Sequence, residues 1–471
     1  MIRRADLFIN GRWAPASGPE TEVVNPATEE LAGIVVSSSR QDLDDSVSAA
    51  RDALPAWSAT PAEQRLAHIL AIADGMRRRQ DELVKLLAVE MGAPVRVGRS
   101  VHTGVPISVL ESHKAVLESM EFTTEVANSL VLREPRGVVA AITPWNFPLH
   151  QIVAKLAPAL LAGCTLVVKP SVEAPLSAYA LCEIVDEAGL PPGVVNLVIG
   201  GGADVGEALV RHPGVDMISF TGSTDAGRRI GSLAADLVRP VTLELGGKSA
   251  NVILEDADLA VAVKVGMANA FMNAGQTCSA WTRMIVPNSR VDEVRNLLLK
   301  HVGAHEPGDP LDPSTRLGPL VSARQKASVT RHIEDAVAAG HELVAGGMDQ
   351  PPGMERGYYV RPTVFLGVPS ESALAQEEVF GPVLAVLGYD TEAQALQIAN
   401  DSRYGLAGAV WSSDQQHALE FAKGMETGQV DINGGRFNPM APFGGYKQSG
   451  IGREFGSFGV AEYLQVKSIQ L

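Results

Sequence analysis

"GVVAAITPWNFPLHQIVAKLAPALLAGCTLVVKP", residues 137–170, reads as strand, turn, helix, strand. GVVAAI (137–142) and TLVVKP (165–170) are short, almost continuously apolar runs. Between them HQIVAKLAPALLAG (150–163) spaces its apolar residues at three and four and ends on a glycine. A strand that is apolar on both faces needs cover on both faces, and two such strands joined by a helix form a parallel pair. The same pattern continues. VVNLVI (194–199), VDMISF (215–220) and VTLEL (241–245) are further strands, and SAYALCEIVDEAG (177–189), ADVGEALVRHP (203–213) and AGRRIGSLAADL (226–237) are the helices between them. The pattern predicts a doubly wound parallel sheet, whose ligands sit at the carboxyl ends of its strands.

A second series starts at SANVIL (249–254) and includes RMIVP (283–287), VLAVLGY (383–389), LAGAVW (406–411) and QVDIN (429–433), enough for a second α/β domain. Upstream, residues 40–91 carry helical spacing and stop at Gly92. MEFTTEVANSLVLREPRG (120–137) is rich in β-formers and poor in core-like runs, as in a projecting hairpin.

A chain of 471 residues is too long for a single core. It is 46% hydrophobic and 20% charged, the composition of an ordinary globular protein. A net charge of −15 argues against nucleic acid and against an anionic membrane surface as partners. No run approaches the roughly 20 apolar residues of a bilayer span, and MIRRADLFINGRW at the start has no apolar signal core, so a cytoplasmic location is expected. Cys164, Cys182 and Cys278 form no CxxC pair, and the histidines form no HExxH cluster, so neither a disulfide framework nor a metal is expected.

The dinucleotide fingerprint GxGxxG is missing after the first strand. GGGADVG (200–206) comes close but misplaces its third glycine. FTGSTDAG (220–227) does leave a strand and enter a helix. Gly222 there allows close backbone approach, Ser223 and Thr224 can cap the helix, and the helix N-terminus can take a phosphate. A capped turn without a ligand would read the same. Cys278, set in NAGQTCSA (273–280) among small polar neighbours, is either a core filler or a nucleophile. Glu244 ends an apolar strand, as an ion-paired terminus or as a carboxylate of raised pKa that activates water. Asn146 lies in a proline-flanked turn, as a turn former or as an amide donor to an oxyanion. Taken together, a thiol, a carboxylate, an amide and a phosphate loop suit oxidation of an aldehyde through a thioester.

At these residues the chain resembles the aldehyde dehydrogenase family over nearly its whole length. The matching motifs, in the family's order, are NPATEE, TPWNFP, VVKP, FTGST, LELGGKSAN, GQTC, EEVFGPV and PFGGYKQSGIGRE. The resemblance implies a dinucleotide-binding domain (1–116 and 137–246), a catalytic domain (247–445) and a small β oligomerisation arm (117–136 and 446–471), assembled as a homodimer or homotetramer. It makes Cys278 the nucleophile, Glu244 the base for deacylation, and Asn146 with the Cys278 backbone N–H the oxyanion hole. The implied cofactor contacts are Thr143, Trp145, Lys169, Gly202, Gly222, Ser223, Leu245, Glu378 and Phe380. Members preferring NAD often carry a glutamate three residues beyond the lysine; here that place is Val172, with Glu173 next to it, which favours NAD and leaves NADP open. Retention of Glu244 implies release of the acyl group to water rather than to coenzyme A.

By position, Phe147, Met272, Thr277, Ser279, Phe437 and Phe443 line the substrate path, with Arg436 at its mouth, which suggests a medium-sized, partly apolar aldehyde. Arg436 either pairs with a distal carboxylate, as in an acidic semialdehyde, or keeps the rim soluble. Two other readings compete. A cofactor-independent thiol hydrolase or acyltransferase would need a histidine partner, which none of the motifs contains. A catalytically silent binding protein on the same fold would have no reason to keep Cys278, Glu244 and Asn146 together.

Overall fold

The computed structural model describes all 471 residues. Its first sheet has six strands in the order 195–197, 165–169, 138–142, 217–221, 241–244, 450–451; the last runs antiparallel and the others parallel. Each of the five expected strands forms within one or two residues of its apolar run. Alternate side chains go to opposite faces. Val139 and Ala141 join one core with the helix Pro148–Ala162, while Val138, Ala140 and Ile142 join another with Leu43 and Val47 of the helix Arg40–Ala59. Cover on both faces explains why these strands read as unbroken hydrophobic runs. The chain order reverses between Val138–Ile142 and Met217–Thr221. A ligand crevice opens at such a switch point, here beside the turn 143–148 and the loop 221–224.

The second sheet has seven strands, ordered 342–345, 363–366, 383–389, 283–287, 250–253, 407–411, 429–432, and all but the first are parallel. It has its own core, from Ala250 to Met425. A third, antiparallel sheet pairs Leu464–Gln470 with Ser129–Pro135, and that strand with Thr123–Val126. The last 26 residues therefore divide. Gly450–Ile451 extends the first sheet, the helix Gly456–Glu462 packs against the helix Pro148–Ala162, and only the final strand reaches the hairpin. No helix is long and apolar enough to cross a membrane.

Candidate active site

The carboxyl ends of the first sheet's strands meet the amino ends of the second's, where Cys278 and Glu378 precede the strands Arg283–Pro287 and Val383–Tyr389, and hydrogen bonds from side chains to backbone tie the two there. Asn146, 3% exposed, follows the strand Val138–Ile142 and donates from Nδ2 to the Gln276 carbonyl at 3.0 Å; Asn273 Nδ2 donates back to the Asn146 carbonyl at 2.8 Å. A carboxamide has two N–H donors, so one of Asn146 stays uncommitted beside the cysteine loop. That loop leaves the helix Leu259–Ala270 through a short 3₁₀ turn in which Asn273 and Ala274 take left-handed φ of 52° and 56°. Two consecutive left-handed residues with side chains are costly and persist only where the surroundings fix them. Gln276 does much of the fixing, donating to the Asn273 carbonyl and accepting from the Val321 N–H at 2.9 Å. Gly275 is required: its φ is +72°, and a Cβ there would stand 2.0 Å from the Gly381 carbonyl oxygen.

Cys278 is half-buried, whereas Cys164 and Cys182 are buried. Burial pushes its thiol up to about 12, helped by the Glu378, Glu244 and Glu454 carboxylates and opposed by the Ser279 N–H. A thiol held among carboxylates stays protonated until a positive charge arrives. In the chain by itself burial, with the carboxylates adding to it, outweighs the one backbone donor.

Glu244 ends its strand with neither carboxylate oxygen hydrogen-bonded and is 4% exposed. Burial, then the Glu454 carboxylate, raise its pKa well above the usual range. Such a group holds its proton more tightly than an exposed carboxylate and, once ionised, is a stronger base. The sequence reading missed its neighbours. Lys155, fully buried in the helix Pro148–Ala162, pairs with Glu454 at 2.7 Å and donates to Thr221 Oγ1 at 2.6 Å. The signal was present: a lysine amid unbroken apolar residues needs a partner.

The cofactor candidates gather along the switch-point crevice. Ser223 is exposed and caps the helix Thr224–Asp236, accepting from the Ala226 N–H at 3.4 Å. Lys169 spends two of its three ammonium hydrogens on the Pro170 and Gly200 carbonyls, both at 2.8 Å, and burial lowers its pKa to about 8. One hydrogen is left for a ligand hydroxyl. Thr143 Oγ1 is buried without a partner. Trp145 and Phe380 meet edge to face at 5.5 Å, and Glu378 accepts from the Gly247 N–H at 3.1 Å, with burial raising its pKa to about 7. Gly222 lies half-buried in the loop, Leu245 packs at Gly227, and Gly202 is exposed in the turn Gly202–Gly206. An orphan hydroxyl, an uncommitted ammonium hydrogen, two facing rings and a free helix N-terminus along one groove fit a dinucleotide. Glu173, beside Val172, points to Arg324 at 3.4 Å.

Of the substrate candidates, Phe437 and Phe443 gather around Phe455 at 5.6 and 5.8 Å. Phe147 is buried and begins the helix after Asn146, while Met272, Thr277 and Ser279 are half-buried on the cysteine loop, where Thr277 donates to the Met272 carbonyl. Arg436 is exposed and makes no ion pair.

The aldehyde dehydrogenase family model matches residues 13–469. A 3-succinoylsemialdehyde-pyridine dehydrogenase from a Pseudomonas species is 45% identical over 466 residues, 98% of either chain, and a geranial dehydrogenase from Castellaniella defragrans is 43% identical, covering 100% of this chain and 99% of its own. Among solved structures, a mutant of Pseudomonas syringae aldehyde dehydrogenase C complexed with NAD+ and octanal matches with a TM-score of 0.97 at 45% identity, covering 99% of this chain and 96% of that one. A Mycobacterium tuberculosis aldehyde dehydrogenase complexed with NAD+ also matches at 0.97, with 43% identity, over 100% and 98% of the two chains. With the fold, the crevice and the eight motifs already in agreement, the chain belongs to the aldehyde dehydrogenase family.

Proposed function

We propose that the protein oxidises a medium-sized, partly apolar aldehyde to its carboxylic acid with NAD, releasing the product to water. The observation that carries this reading is the meeting of Cys278, the half-committed Asn146 amide and the unpartnered Glu244 carboxylate in one cleft. Cys278 attacks the carbonyl carbon, and the new oxyanion rests on the free Asn146 N–H and the Cys278 backbone N–H. When bound, the nicotinamide supplies the hydride acceptor, and its positive charge favours the thiolate against the surrounding carboxylates. Glu244 then takes a proton from water, which opens the thioester, and the nearby Lys155–Glu454 pair offers that proton an onward route.

Ser223 is assigned to the pyrophosphate, Lys169 to the adenosine ribose, Glu378 to the nicotinamide ribose, and Trp145 with Phe380 to the ring; Thr143, Gly202, Gly222 and Leu245 complete the groove. Glu173 is engaged with Arg324 rather than free to repel a 2′-phosphate, so some turnover with NADP is expected. The antiparallel sheet of Leu464–Gln470 and the hairpin is assigned to pairing of subunits in a dimer or tetramer, and the protein to the cytoplasm. The test is a panel of aldehydes with NAD and with NADP, followed at 340 nm with analysis of the product. Acid formed one for one with NADH supports the reading. Ester hydrolysis without cofactor, or acyl transfer only to coenzyme A, would replace it.

A further inference from the structure

Two consecutive residues in the first turn of the helix Ala323–Ala338 reach toward opposite ends of the cofactor crevice. Gln325 donates from Nε2 to the Phe380 carbonyl at 2.8 Å, and Phe380 faces Trp145 at the end assigned to the nicotinamide ring. Arg324 goes the other way. Its guanidinium lies 3.4 Å from the carboxylate of Glu173, four residues beyond Lys169 at the end assigned to the adenosine ribose. The chain turns between these two residues, and the Glu173 N–H donates to Ser171 Oγ at 3.3 Å. The helix itself packs into the second core through Val329, Ile333 and Ala336. An arginine of the second domain thus overhangs the ribose turn of the first.

This contact is loose. The Arg324 side chain is 84% exposed and that of Glu173 is 30% exposed, and an ion pair so open to water contributes little to stability. Only one guanidinium N–H engages the carboxylate, at the long end of hydrogen-bond distance, and Arg324 has no other partner. The remaining donors of its planar fork face solvent. Such a fork matches the oxygens of a phosphate, and a phosphate dianion holds it more strongly than a carboxylate of half the charge. NAD brings no charge to this turn, only ribose hydroxyls, whereas NADP brings a 2′-phosphate. Val172 has no charge with which to oppose that phosphate, and the charge of Glu173 is offset by Arg324.

We propose that Arg324 decides between the two dinucleotides by exchanging partners: it leaves Glu173 to clamp the 2′-phosphate of NADP and stays on Glu173 when NAD is bound. Resting on the dinucleotide reading of the crevice above, this puts the discrimination on a residue of the second domain rather than on a fixed acidic residue in the ribose turn. Two consequences oppose each other. Without Arg324, the phosphate loses its clamp and meets an uncompensated Glu173 carboxylate. Without the Glu173 charge, Arg324 is free and nothing competes for it.

The experiment measures binding of 5′-AMP and of 2′,5′-ADP, which differ only in the 2′-phosphate, by calorimetry on the whole protein without aldehyde. The ratio of the two Kd values is compared in wild type, Arg324→Gln, Arg324→Lys and Glu173→Gln. Arg324→Gln should shift the ratio against 2′,5′-ADP by about tenfold or more. Arg324→Lys, which keeps the charge but not the fork, should recover part of that loss. Glu173→Gln should shift the ratio toward 2′,5′-ADP by about threefold or more. The ratio of kcat/KM for NADP to that for NAD, taken with one aldehyde, should move in the same order. A ratio that Arg324→Gln leaves unchanged overturns the inference, and so does an equal loss on both nucleotides, since the guanidinium would then serve a phosphate that both share. Binding of 5′-AMP alone, which Glu173→Gln fails to extend to 2′,5′-ADP, overturns it as well. Binding of neither nucleotide by wild type would sink the dinucleotide reading of the crevice itself, a result distinct from binding without discrimination.

Discussion

The cysteine loop (273–278) and the phosphate loop (221–224) lie on opposite sides of one crevice and are held in opposite ways. The first is almost entirely buried or half-buried, runs through three consecutive left-handed residues and is tied to both sheets through Asn146, Gln276 and Val321. The second is held by a bond from the Gly222 N–H to the Glu244 carbonyl at 3.0 Å and by the Ser223 cap, and Ser223 itself is exposed. A reacting sulfur must be placed to a fraction of an ångström, which requires a backbone determined from several directions. A phosphate needs only N–H groups aimed at it, which any capped helix start provides. Damage on the cysteine side should therefore be catastrophic, and damage on the phosphate side modest.

The largest effects should come from the loop that carries the thiol. Cys278→Ala is expected to lower kcat by about 10⁴-fold or more with little change in Tm, because a half-buried thiol contributes modestly to packing. Gly275→Ala should match that loss by another route. The added methyl meets the Gly381 carbonyl oxygen and the backbone must leave a φ of +72°, so activity and Tm fall together. Thermal melts beside steady-state rates separate the two, and an unchanged Tm in Gly275→Ala would refute the idea that this loop is over-determined.

Next comes Glu244, the carboxylate under the cysteine loop. Glu244→Gln should slow turnover by about 10²- to 10⁴-fold while leaving a rapid first equivalent of NADH, since the base acts after the acyl-enzyme has formed. The pH dependence follows from its environment. Burial and Glu454 raise its pKa, so the active, ionised form gains as pH rises and is lost as pH falls through that raised value. Hydrolysis in wild type should climb as pH rises through that raised value, and the variant should lose that climb. Stability moves the other way. A carboxylate whose folded pKa lies above its unfolded one stabilises the fold below the unfolded value and forfeits this as pH rises through the folded value, so Glu244→Gln should gain in Tm over wild type as pH increases. Asn146→Ala ranks third, at about 10²-fold in kcat, the usual worth of one oxyanion donor.

The first sheet was legible because its strands are buried on both faces and its helices stop at glycines, so local pattern and global fold agree. The N-terminal strands Asp6–Ile9, Arg12–Pro15 and Glu20–Val24 were not, nor were Glu342–Ala345 and Thr363–Leu366. Most are short, half-exposed pieces that pair with the next strand in the chain but hold too few residues to show a periodic run. The site divides in the same way. Cys278, Glu244 and Asn146 stand out because each is an unusual residue for its immediate surroundings. The partner of Lys155 lies 299 residues away, and no local pattern reports a contact of that span.

The smallest effect should be at Ser223, where the comparison can be pressed hardest. Ser223→Ala removes the side-chain acceptor from the Ala226 N–H and should cost the helix about 1 kcal/mol, while KM for NAD rises about fivefold and by more than kcat falls. Ser223→Gly separates the two roles, because glycine replaces a serine cap at a cost of only a few tenths of a kcal/mol but carries no hydroxyl. If the phosphate loop works through the helix start alone, Ser223→Gly restores both Tm and KM. If the hydroxyl itself meets the pyrophosphate, Tm recovers and KM stays raised. A loss in kcat as deep as that of Asn146→Ala would show instead that this exposed loop is as tightly determined as the cysteine loop, and the contrast between the two sides of the crevice would fail.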